Sequence, residues 1–133
     1  MTNSASGTFE VHLSPQADGE AGGAGVGRML IDKRFSGDLE ATSKGQMLAV
    51  RTPTEGSAGY VAMELVAGRL HGRDGTFALQ HSGTMERGAQ RLSITVVPDS
   101  GTGELAGLSG RMELDFSGGG HAYRLDYTLG GGA

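Results

Sequence analysis

The sequence predicts an all-β protein, an antiparallel meander of eight strands closed into a barrel, and three observations carry that expectation. Apolar and polar residues alternate along about eight runs, and no window shows the 3.6-residue apolar period of an amphipathic helix. Glycine supplies 25 of the 133 residues and lies between those runs, where turns, bulges and strand bends use it. Residues 96–110, Val-Val-Pro-Asp-Ser-Gly-Thr-Gly-Glu-Leu-Ala-Gly-Leu-Ser-Gly, lead from one alternating run to the next through a compact glycine corner, with no helix-forming stretch between. An antiparallel meander of this length removes its exposed edges by closing on itself, around an interior that is packed solid or holds one small ligand.

The elements follow in order. Residues 1–7 are expected as a flexible end, and residues 8–13 as the first run, with Phe9, Val11 and Leu13 on one face. Residues 14–27, rich in glycine and alanine, read as a long loop. A strand follows with Met29, Ile31, Lys33 and Phe35 together; Gly37 bends it before it resumes through Leu39 and Ala41. Ser43-Lys44-Gly45 is expected as a hairpin turn, with residues 46–51 pairing back. After a turn at 53–57, residues 59–70 form the longest candidate strand, with Tyr60, Ala62, Glu64 and Val66 opposed to Val61, Met63 and Leu65. Gly72-Arg73-Asp74-Gly75 has the Asp-Gly chemistry of a tight hairpin. Its partner, residues 76–85, sets Phe77, Leu79 and His81 on one face. Arg87-Gly88 turns into the β-branched run 92–97. Beyond the glycine corner come residues 110–116, a turn at Gly118-Gly119-Gly120, and residues 121–129 with Tyr123, Leu125, Tyr127 and Leu129 aligned. Residues 130–133 are expected to fray. A single domain over residues 1–133 is expected.

Several function classes are set aside by composition. A net charge of −4 with no basic stripe gives no reason to bind nucleic acid. No apolar run approaches the roughly 20 residues that span a bilayer, and the first residues lack the basic start and apolar core of a signal peptide, so a soluble cytoplasmic protein is expected. The absence of cysteine excludes disulfides, thiolate metal sites and a cysteine nucleophile, and it suits a reducing compartment. His12, His71, His81 and His121 show no metal-ligand spacing, so neither metal nor cofactor is expected.

Five stretches carry a family resemblance: Lys33-Arg34-Phe35-Ser36-Gly37-Asp38-Leu39-Glu40, Ala58-Gly59-Tyr60-Val61-Ala62, Gly75-Thr76-Phe77-Ala78-Leu79-Gln80-His81-Ser82-Gly83, residues 96–110, and His121-Ala122-Tyr123. They cover most of the chain from Lys33 onward. They resemble a family of small bacterial proteins of unknown function, related in fold to plant allene oxide cyclase. The Gly-Thr-Gly-x-Leu-x-Gly-x-x-Gly corner is the part shared in kind with the cyclases. The resemblance implies an allene-oxide-cyclase-like, calycin-like barrel that self-associates, a dimer being favoured here. It implies no settled activity, and a shared barrel does not license the cyclase reaction.

Candidate chemistry is sparse. Asp99-Ser100-Gly101-Thr102 has the form of an aspartic peptidase signature, in which two aspartates share a proton. One copy per chain would require a homodimer with Asp99 from each subunit at the two-fold axis. Asp-Ser-Gly is equally ordinary turn chemistry, and in the resembling family glycine often replaces this aspartate. A phosphate-loop reading fails because a strand, not a helix, follows the glycines. Glu64 either lines the interior, where it becomes an acid/base candidate, or turns outward as a half-exposed strand residue; Glu40 poses the same choice. His81 shares an apolar face and points inward or into a subunit interface, with His121 as a second member. Tyr60 and Tyr123 belong to the core or orient a ligand through their hydroxyls. Three readings follow: a binding barrel holding a small apolar molecule with Tyr60, Glu64, His81, His121 and Tyr123 at its polar end; an enzyme, either a cyclase or isomerase in the barrel or an acid hydrolase using Asp99; and a structural dimer packed solid.

Overall fold

In the computed structural model, which describes residues 2–16, 25–117 and 120–130, eight strands follow one another around one closed sheet. They are β1 (Asn3–Gln16), β2 (Val26–Gly37), β3 (Leu39–Arg51), β4 (Ala58–Leu70), β5 (Arg73–Glu86), β6 (Ala89–Val96), β7 (Leu108–Asp115) and β8 (Ala122–Leu129). Each is antiparallel to the next, and β8 returns to β1. This is the predicted barrel. Among the described residues the helical content is one 3-10 turn, Gly103–Leu105, and no helix is long and apolar enough to cross a membrane.

Burial sets the alternation. Along β4, Ala62, Glu64, Val66 and Leu70 are buried while Val61, Met63 and Leu65 face out. One half of the barrel is filled by a continuous apolar cluster that includes Phe35, Leu39, Leu70, Phe77, Leu105 and Tyr127. The glycine corner closes that half. β6 pairs with β5 only from Leu79 onward, which leaves the first half of β5 without a ladder partner on that side. The corner satisfies it: the Thr102 amide donates to the Thr76 carbonyl (2.8 Å), the Thr76 amide to Thr102 Oγ1 (3.1 Å), the Ala78 amide to Ser100 Oγ (3.0 Å) and the Asp74 amide to Glu104 Oε1 (3.0 Å). Leu105 then drops its side chain into the core. The corner thus completes the wall beside the first half of β5 and plugs it with Leu105, as well as linking two strands; we call this the capped end.

The opposite end is lower on one side. β8 pairs with β1 only over Asn3–Thr8, and β7 pairs with β6 only at Ile94 and Thr95, while β2 to β5 pair along their full lengths. We call this the open end.

Three local expectations are corrected. Ser43-Lys44-Gly45 is not a turn; it lies inside β3, and the β2–β3 hairpin turns at Asp38 instead. Distant groups set that turn: the Leu39 amide donates to the Tyr123 hydroxyl (2.9 Å), which donates to the Ser36 carbonyl (2.9 Å), and the Asp38 amide donates to the Ser6 carbonyl (3.1 Å). The β4–β5 hairpin turns at His71-Gly72, whose φ values of 47° and 80° give a primed turn, rather than at Asp74-Gly75. Gly75 lies inside β5, where a Cβ would stand 2.1 Å from the Thr102 carbonyl oxygen, so glycine here serves the close approach of the corner. Residues 2–7 are not a loose end, since Asn3–Gly7 pairs with β8 and Ala5 is fully buried. The Arg87-Gly88 turn forms as expected, with φ of 47° and 91°. Of the expected 14–27 loop, 14–16 and 26–27 are strand; residues 17–24, 118–119 and 131–133 lie outside the described residues.

Candidate functional site

The open half of the barrel holds charge. Lys33 on β2, Ser43 on β3, Glu64 on β4 and His81 on β5 all point inward and are 6%, 1%, 1% and 4% exposed. The register places them along a diagonal: Lys33 opposite Ser43, Gly45 opposite Glu64, Ala62 opposite His81, and Tyr60 opposite Gly83. Each larger group therefore faces a small one. A Cβ on Gly45 would lie 2.1 Å from the Met63 carbonyl oxygen and 2.8 Å from Glu64 Cβ, and one on Gly83 would lie 2.4 Å from the Tyr60 ring. These two glycines are notches that admit the Glu64 and Tyr60 side chains.

Glu64 is the centre. Its Oε2 accepts from Lys33 Nζ (2.9 Å) and His81 Nε2 (2.7 Å), and its Oε1 accepts from Ser43 Oγ (2.8 Å). Lys33 Nζ also sits 5.3 Å from the Phe9 ring centre and 5.6 Å from that of Phe35, a cation–π cradle. No buried side-chain nitrogen or oxygen among the described residues lacks a partner. Burial by itself would raise the Glu64 pKa; the His81 hydrogen bond, the charges of Lys33 and His81 and the Lys33 hydrogen bond outweigh it and hold the carboxyl at about 2. The carboxylate is therefore ionised at neutral pH, and His81 Nε2 carries the proton it donates. On the other side of the ring, His81 Nδ1 lies 3.3 Å from the Tyr60 hydroxyl, within hydrogen-bond distance. Burial, then the Glu64 charge, raise the Tyr60 pKa above its ordinary 10.0, so the phenol keeps its proton.

This arrangement fixes roles. Glu64, with both oxygens engaged, orients His81 rather than reacting itself. Tyr60 is the outermost member and only partly buried, so it is the group of the network nearest solvent. With both Glu64 oxygens occupied, the cluster offers a metal little, and among the described residues no three His, Asp or Glu side chains converge as a metal site requires.

The structure brings together Tyr60, Glu64 and His81 and separates the other candidates. The outward reading of Glu64 is wrong, whereas Glu40 is exposed. His121 is exposed and packs against Phe9 and Phe116, at 5.1 Å and 5.0 Å between ring centres, with Phe9 between it and Lys33. Tyr123 is a fastener of the β2–β3 turn. Asp99 is exposed on a turn of the glycine corner, with φ of 61°. Another cluster ties the two turns at the capped end: His71 Nδ1 bonds the Tyr127 hydroxyl, His71 Nε2 lies 3.6 Å from Asp38 Oδ2, and the His71 amide donates to the Asp38 carbonyl (2.9 Å). Sequence reasoning missed Lys33 and Ser43 as site residues. A lysine in phase with Ile31 and Phe35 was the available signal for the first; the turn reading hid the second.

Comparison with known proteins settles the family. The model of the DUF3224 family, described as a protein of unknown function, matches residues 5–127. The chain belongs to the DUF3224 family. A crystal structure of a DUF3224 protein of unknown function from Shewanella oneidensis MR-1 shares 47% identity with it, over 96% of this chain and 97% of that one, with a TM-score of 0.89. No curated protein matches the chain. For this DUF3224 protein the family establishes the barrel, and the chemistry rests on the residues above.

Proposed function

We propose that this DUF3224 barrel binds a small, largely apolar molecule at its open end, with Tyr60 as the polar contact and His81, Glu64 and Lys33 behind it. The observation that carries the reading is the buried ion network itself. Apolar side chains of similar volume are often as stabilising as a buried ion pair, or more so. The capped half of this barrel is filled in just that apolar way, so folding alone does not call for Lys33, Glu64 and His81. Around Tyr60 the inward positions are half-buried Met29, Met47, Ala49 and Met85. Unbranched methionines adapt to an apolar guest. The Tyr60 hydroxyl bonds His81 Nδ1 and, as a group that both donates and accepts, keeps capacity for a polar group on the ligand. A chain without cysteine is suited to a cytoplasmic site of action.

Native mass spectrometry of the protein purified from its own host tests this. The expected spectrum shows a small molecule retained by the wild type, released on denaturation and weakened by Tyr60→Phe. An apo mass alone, with no melting-temperature rise across a panel of apolar carbonyl and hydroxyl compounds, overturns it.

The run from Tyr60 hydroxyl through His81 to Glu64 favours a second reading, a general acid/base enzyme in the same site. The two part at Tyr60→Phe and His81→Gln: loss of turnover with binding kept supports the enzyme, and a retained ligand that never changes supports the binder.

A further inference from the structure

The outside of the barrel carries one face unlike the rest. Leu48 and Val50 on β3 and Val61, Met63 and Leu65 on β4 are 41% to 71% exposed, with Leu30 on β2 at the margin. Leu48 is paired with Val61, and Val50 with Gly59. The outward positions of β4 from Gly59 to Ala67 bear no charge, nor do Gln80, Ser82 and Thr84 beside them on β5, although the chain has 11 basic and 15 acidic residues. The six apolar side chains leave on the order of 500 Å² exposed, toward the upper end for a solitary protein and a large share of the ~800 Å² per partner of a stable interface. Uncharged Gln46, Gln80, Ser82 and Thr84 extend the area, and Arg28 and Lys44 stand at its rim. β1 beyond Thr8 and β6 before Ile94 keep unpaired edges at the open end, but the apolar area lies on the outer face of β3 and β4, so contact through it is face to face.

The face has a knob and a hole. A groove of about 370 Å³ lies over Gly59, walled by Val26, Leu48, Val50 and Val61. Leu65, 71% exposed, projects from the same strand. Six residues along a strand span about 20 Å, and Val61 and Met63 lie between the two features. A half-turn about an axis passing between Val61 and Met63 sets the Leu65 of each copy over the groove of the other. Residues at such an axis meet their own copies, so a charge there would oppose itself; an uncharged centre is what a two-fold contact requires.

We propose that two copies of this chain pack β3–β4 face to β3–β4 face as a two-fold dimer, with Leu65 of each seated over Gly59 of the other. The dimer does not rest on the ligand reading: the groove borders Tyr60, but Lys33, Glu64 and His81 lie inside the barrel, and the contact needs only the outer face.

Sedimentation equilibrium of the wild type, Leu65→Asp and Gly59→Leu tests it. A Cβ at Gly59 meets nothing nearer than 3.8 Å, so Gly59→Leu fills the groove without disturbing the barrel. The wild type is expected at twice the 13.6 kDa chain mass. Both variants should weaken the dimer at least about tenfold with unchanged far-UV circular dichroism. Because the chain has no cysteine, Met63→Cys, one residue from the axis, should be linked to its own copy by a short bismaleimide, whose spacer covers the distance between packed sheets, while Thr95→Cys on the outside of β6 should not. A wild type that stays monomeric at about 100 μM overturns the proposal, including the case of a different protein covering this face. So does a dimer that both variants leave intact and that Met63→Cys fails to cross-link.

Discussion

The two halves of this barrel fill the inside of the same eight-stranded sheet with opposite chemistry. In the capped half lie Leu39, Leu70, Phe77 and Leu105, where each large apolar side chain contributes roughly 1.5–3 kcal/mol by leaving water. At the open end lie Lys33, Glu64 and His81, where desolvation takes back much of the Coulombic gain. The first arrangement is sufficient to hold a barrel together. The second is costly to build, has a partner for every buried polar side-chain atom, and ends on a partly buried tyrosine at the mouth, and these three features support the proposed binding role.

The largest effect should come from breaking the network on one side only. Glu64→Gln leaves Lys33 buried without its counter-charge and is expected to cost about 3–5 kcal/mol in urea unfolding. A cost below about 1 kcal/mol would mean that the network is wetter and looser than its distances imply.

Acid gives the next effect. Above its ordinary value of 4.5 Glu64 is ionised in both the folded and unfolded chain, and its contribution is fully present. As pH falls from 4.5 toward about 2 the unfolded chain takes up the proton first, so stability on the order of 3 kcal/mol is lost across that window. Urea midpoints measured against pH should show this loss in the wild type and a shallower slope in Glu64→Gln; equal slopes would assign acid lability to other carboxyls.

The capped half responds more mildly. Tyr123→Phe removes the hydroxyl that accepts the Leu39 amide and donates to Ser36, and about 1–3 kcal/mol should be lost by denaturant titration with ligand retention unchanged. Smallest is a gain: Asp99 sits at φ of 61°, so Asp99→Gly should stabilise by up to about 1 kcal/mol. A loss there would show that the Asp99 side chain has a bonding role.

What could be read in advance follows from where the information lies. Strand faces are legible because burial imposes a period of two on each run, which is why Tyr60 shares a face with Glu64 and His81 one with Phe77 and Leu79; whether those faces turn inward stays open in the sequence for Glu64, and for His81 a subunit interface is the alternative. The turns were less legible. Ser43-Lys44-Gly45 has the composition of a turn, yet Ser43 is there to bond Glu64 and Gly45 to clear space for it, and both reasons lie about 20 residues away on another strand. The true turn at Asp38 is held by Tyr123, 84 residues from Leu39. Lys33 escaped notice because a lysine in phase with apolar residues acquires meaning only once its carboxylate partner is known to face it.

The contrast between the two halves is tested most directly by making the open one resemble the capped one. In Lys33→Met/Glu64→Leu/His81→Leu the charges leave together, so no partner is stranded. The account predicts a folded barrel at least as stable as the wild type in urea, far more stable than Glu64→Gln, that no longer retains its ligand in native mass spectrometry. A triple variant that unfolds, or that falls as far as Glu64→Gln does, would contradict it and make the ion network part of what holds the barrel together.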